Sequence, residues 1–69
     1  MESPLFKVGT RIPVKQDDVT WGRITYRETA LGLMWMAEAK RSSGAWIFLG
    51  DHDTPTDAHM EVLDHWGLG

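Results

Sequence analysis

The chain has 69 residues, ten acidic and seven basic, with a net charge of −3 and no cysteine. That length allows a single domain, residues 1–69, with a small core, because a chain this short buries only about 60% of the surface its unfolded form exposes. The missing cysteines exclude disulfides and thiolate metal sites, and the 42% hydrophobic and 25% charged content is that of a folded chain, not a disordered one.

Residues Met1 to Phe6 include an acid and a proline and lack the apolar stretch of a leader. The longest apolar run, Ala30 to Ala37, is far below the ~20 residues a membrane helix needs. The chain opens on Met1, so it reads as a complete small cytoplasmic protein. Residues 5–14 alternate Phe6, Val8, Thr10, Ile12 and Val14 with Leu5, Lys7, Gly9, Arg11 and Pro13, a period of two that predicts a strand. Pro13 cannot donate to a ladder and places that strand at an edge. Lys15 to Asp18 reads as a turn with Asp17-Asp18 at its tip, and Val19 to Ile24 as a second strand pairing back on the first.

Thr25-Tyr26-Arg27-Glu28 has the spacing of a capping box. The residues that follow, 30–41, are rich in Ala, Leu, Met, Glu, Lys and Arg, which favour helix. A helix over 30–41 is therefore expected, stopped by Ser42-Ser43-Gly44. A strand across Leu33–Ala39, forming a meander with the next segment, is the competing reading. Ala45 to Leu49 is a short apolar run between glycines and predicts a buried strand. Thr54-Pro55-Thr56-Asp57 is a strong helix start, with Thr54 as N-cap and Pro55 first in the helix. That helix runs to Trp66 and ends at Gly67, with Ala58, Val62, Leu63 and Trp66 on its inner side and Asp57, Glu61, Asp64 and His65 outside. The expected fold is α+β: a β-β-α-β-α domain with about three antiparallel strands and two helices.

Chemistry-bearing patterns are sparse. Asp51-x-Asp53 after an apolar strand resembles the first motif of haloacid-dehalogenase-type phosphatases. However, Pro55 breaks the pattern, and only 16 residues follow Asp53, too few for the rest of such a site. In its place, Asp51 and Asp53 are expected to satisfy loop amides ahead of the helix. His52, His59 and His65 share a segment with five carboxylates, but only Glu61 and His65 have the spacing of one helix face, so no metal site is expected. Of the three serines, Ser3 lies near the chain end and Ser42 and Ser43 at the expected helix stop; no glycine-rich phosphate loop is present, and neither catalytic residues nor a cofactor is expected.

Charge is unevenly placed. All seven bases precede Ser43, and residues 43–69 hold five acids and no base. Asp51, Asp53, Asp57, Glu61 and Asp64 are thus the expected partner-binding residues, offering an acidic surface to a basic groove. Trp35 and Trp66 are candidate apolar anchors, since Trp is enriched at interface hot spots. In size, acidity and build, though in no shared motif, the chain resembles the small phage-encoded anti-CRISPR inhibitors. That resemblance implies a stoichiometric inhibitor, a DNA mimic that occupies a CRISPR effector subunit and blocks access to DNA. Two alternatives stand beside it. One is a self-associating accessory subunit, monomer or weak homodimer, covering Met34, Trp35 or Met36 by dimerisation. The other, disfavoured by the scatter of the bases, is a nucleic-acid binder using Lys7, Arg11, Arg23 and Arg27 with Trp21 or Tyr26 for stacking.

Overall fold

In the computed structural model, which describes residues 6–69, four antiparallel strands run in chain order across one sheet: β1 (Arg11–Gln16), β2 (Val19–Thr29), β3 (Gly32–Lys40) and β4 (Trp46–His52). A single helix, α1 (Pro55–His65), packs on one face. The expected β-β-α-β-α order with three strands and two helices is overturned: residues 32–40 are a strand. Thr25 and Glu28 lie inside β2, paired to Met36 and Leu33, and cap nothing. The physical reason lies at 29–32. Thr29 pairs with Gly32 across a two-residue turn, and the Thr29 hydroxyl accepts from the Leu31 amide (3.1 Å) and donates to the Gly32 carbonyl (2.9 Å). From there Trp35, Ala37 and Ala39 are buried while Met34, Met36 and Glu38 are half-buried, a period of two that pairing on both sides fixes over helix propensity.

The first hairpin forms with Asp17-Asp18 at its tip as expected, but Lys15 and Gln16 pair within β1 instead of forming the turn, and β2 runs past Ile24 to Thr29. Asp17 and Asp18 both take positive φ, 55° and 63°, as a two-residue type I′ turn requires. Its first strand is shorter than expected. Residues 6–10 form a turn, closed by Thr10 N–H to the Lys7 carbonyl (2.9 Å), and Gly9 still donates to the Tyr26 carbonyl (2.7 Å). Leu5 lies outside the described residues. Pro13 does sit in an edge strand, β1.

The helix is the best-anticipated element. The Thr54 hydroxyl accepts from the Asp57 amide at 3.1 Å, and Pro55 begins the helix. At the other end Leu68 and Gly67 donate to the Leu63 and Asp64 carbonyls, closing a Schellman pair. Ala58, Val62 and Leu63 are buried against the sheet. The sheet meets them with small residues: Ala37 and Ala39 are fully covered, and at Gly22 a Cβ would clash with the Glu38 carbonyl and with Val62 Cγ1. Around this contact the core closes with Val14, Ile24 and Trp35. Phe6 stands edge-on to Trp35 at 4.8 Å and Tyr26 lies 5.0 Å from it. Trp66 packs near Trp21 and donates its indole N–H to the Trp21 carbonyl at 2.8 Å.

One irregularity decides what the other face carries. Ala37 pairs with Gly50 but Glu38 with Phe48, so Leu49 is an extra residue in β4. This bulge shifts the alternation of the strand. Gly50 and His52 stay on the helix side, while Phe48 and Trp46 turn to the open side. The expectation of a buried strand over 45–49 is therefore corrected: β4 is an edge strand, and Phe48 is 56% and Trp46 37% exposed.

Candidate functional site

The five carboxylates expected to act together are divided by the sheet. Asp51 belongs to the open face, where its two oxygens accept from Arg27 Nε (3.1 Å) and an Arg27 terminal nitrogen (2.9 Å). It does not serve the loop ahead of α1, whose cap is Thr54. Asp51 holds the Arg27 pKa above its ordinary value through that hydrogen bond and its charge. Asp53 is exposed in the β4–α1 connection. Asp57, Glu61 and Asp64 do remain together. They line a groove of about 500 Å³ between α1 and β4 with Leu49, His52 and His65, and no Lys or Arg contributes to its walls.

Within that groove Glu61 Oε1 lies 2.6 Å from His52 Nε2. The partner of Glu61 is thus a strand histidine brought over by the sheet, not His65 on its own helix. Gly50 makes room for the pair, since a Cβ there would stand 3.0 Å from the same Glu61 oxygen. Among the described residues no three His, Asp or Glu side chains converge as a metal site needs.

The anchors also redistribute. Trp35 is 2% exposed and belongs to the core, so it cannot meet a partner, and Trp66 is half-buried with its N–H engaged. The tryptophan left at the surface is Trp46. It lies on a face that nothing among the described residues covers. There β2 supplies Arg23, Thr25 and Arg27, β3 supplies Met34, Met36, Glu38 and Lys40, and β4 supplies Trp46, Phe48 and Asp51. Arg11 and Lys15 extend it along β1.

The charged groups of this face are organised on its aromatic rings. The Arg23 guanidinium stacks 3.9 Å from the centre of the Trp46 ring while its Nε donates to Glu38 at 2.8 Å. Among the described residues the hydrogen bond from Arg23 to Glu38 is made through Nε. Arg27 lies 5.6 Å from the Phe48 ring, and the Lys40 ammonium 5.9 Å from Trp46. These distances are within cation–π range. Thr25, 7% exposed beneath the surrounding long side chains, keeps a buried hydroxyl with no partner.

Among the described residues this face holds five cations (Arg11, Lys15, Arg23, Arg27, Lys40) and two carboxylates (Glu38, Asp51), in a chain whose net charge is −3. The bases that look scattered along the sequence are gathered by strand pairing. Of the expected stacking residues, Trp21 and Tyr26 pack toward the helix side with the core, and Trp46 and Phe48 take the open side. The chain matches no protein-family model, and no curated protein or solved structure is detectably similar to it.

Proposed function

We propose that the protein is a non-catalytic binding module that engages an anionic macromolecular ligand through the open face of its sheet. One observation carries this reading: Trp46 and Phe48 stand exposed beside an excess of cations on a face the fold does not use. Large exposed aromatics without a structural role mark interaction surfaces. Among the described residues the face is a sheet surface with no nucleophile beside a general base, which supports binding over chemistry.

A second reading has its own support. Asp57, Glu61 and Asp64 rim a groove whose walls contain no Lys or Arg, as an inhibitor of the anti-CRISPR kind would need to occupy a basic partner site. The two readings use opposite sides of the molecule, so one experiment separates them. A photo-crosslinking residue is placed at Phe48 in one variant and at Asp64 in another, and each is irradiated in cells. Adducts from position 48 with none from 64 support the sheet face. The reverse pattern supports the acidic flank and removes the first reading.

A further inference from the structure

Resting on the sheet-face reading, we infer that the ligand of that face is single-stranded nucleic acid. Trp46 and Phe48 are two residues apart on one strand, on the same side, and so about 7 Å apart along β4. Phe48, 56% exposed, and the part of Trp46 that Arg23 does not cover, 37% exposed, offer two ring surfaces at that spacing for successive unpaired bases, a contact that tolerates any sequence because every base has a π-face. Phosphates need cations beside the rings, and the face supplies them. Arg23 is pre-oriented by its stack on Trp46 (3.9 Å) and by the Nε bond to Glu38. Lys40 lies 5.9 Å from the same ring, and Arg11 is exposed on β1, at the far edge of the same face.

Charge and shape choose among occupants. A second copy docked face to face would set five cations and two carboxylates against the same set, an unfavourable like-charge apposition. Duplex DNA is read by elements that enter a groove, and this face is a flat sheet surface. An acidic peptide satisfies the cations but leaves the two rings without stacking partners.

The test titrates the full chain into fluorescein-labelled oligothymidylate and reads anisotropy between about 50 and 200 mM salt. Binding is expected at the low end and should weaken on the order of tenfold across that range, as contact with about three phosphates of a single strand implies. Trp46→Ala and Phe48→Ala should each weaken binding about tenfold or more. Trp46→Phe should restore most of the loss, and Asp57→Asn with Asp64→Asn should not weaken it. On the wild-type chain, NMR titration with the same oligonucleotide should move the Trp46 indole signal and leave that of Trp35 in place, a readout independent of how any variant folds. Absence of binding at low salt, binding indifferent to both aromatic substitutions, or shifts confined to α1 would overturn the inference. Crosslinks from position 48 to a protein, without oligonucleotide binding, would overturn it while leaving the sheet-face reading standing. No crosslinks from position 48 would remove both.

Discussion

The two faces of the sheet are built from the same strands and obey opposite rules. On the helix side the side chains are apolar and graded in size. Trp35 fills the centre, and Gly22, Ala37 and Ala39 let α1 approach until Val62 is fully buried. On the other side arginines lie over aromatic rings, methionines fill between them, and every second residue of β3 is polar or flexible. One face is specified by packing and therefore intolerant of change. The other is specified by nothing the fold requires. That contrast is the reason to look for function there.

Substitutions can break the comparison. The largest effect is expected at Trp35→Ala, about 3–5 kcal/mol, comparable with the whole stability of a domain this size, roughly 3–5 kcal/mol. Circular dichroism should find it largely unfolded without denaturant. Gly22→Ala comes next, at about 1–3 kcal/mol from overpacking, visible as a lower urea midpoint; an unchanged midpoint would mean that α1 rides looser on the sheet than the structure shows. Thr54→Ala should cost about 1 kcal/mol by freeing the Asp57 amide, read in the same urea series. The smallest effect is expected at Phe48→Thr, within about 0.5 kcal/mol in either direction. A loss there as large as in the core would make the open face structural and erase the asymmetry.

The sequence revealed the ends of the molecule better than its middle. Thr54-Pro55 and Gly67 bracket α1 by local chemistry alone, and Asp17-Asp18 marks its hairpin because few residues accept two successive positive φ values. Residues 30–41 were ambiguous for a physical reason. Alanine, leucine, methionine and glutamate favour helix in isolation, and Thr25-x-x-Glu28 fits a cap as well as it fits two rungs of a ladder. Only pairing on both sides, which is non-local, decides the matter. The alternation of Met34, Met36 and Glu38 against Trp35, Ala37 and Ala39 was the available signal. In β4 there was none, since both its faces are apolar and the Leu49 bulge sets which one is open.

The acidic stripe of α1 was legible because helical spacing is local, and Asp57, Glu61 and Asp64 indeed share one groove. Asp51 was misplaced with them because its partner, Arg27, lies two strands away and 24 residues earlier. Arg11, Arg23 and Arg27 of the open face were grouped from the sequence, but with Trp21 or Tyr26 as their rings; Trp46 and Phe48 could not join them until β3 was known to lie between β2 and β4. The cations of that face come from β1, β2 and β3 and its rings from β4, so no stretch of sequence contains it.

The strands lie in the sheet in the order in which they occur in the chain, and the helix comes last. Each strand can therefore zip onto its predecessor through a short loop, a topology rich in local contacts that favours rapid folding. α1 is the last element of the chain, and a sheet without it would leave Trp35 and Ile24 as bare on one side as Trp46 and Phe48 are on the other. Such a sheet has two sticky sides, and the last eleven-residue element determines which one stays open.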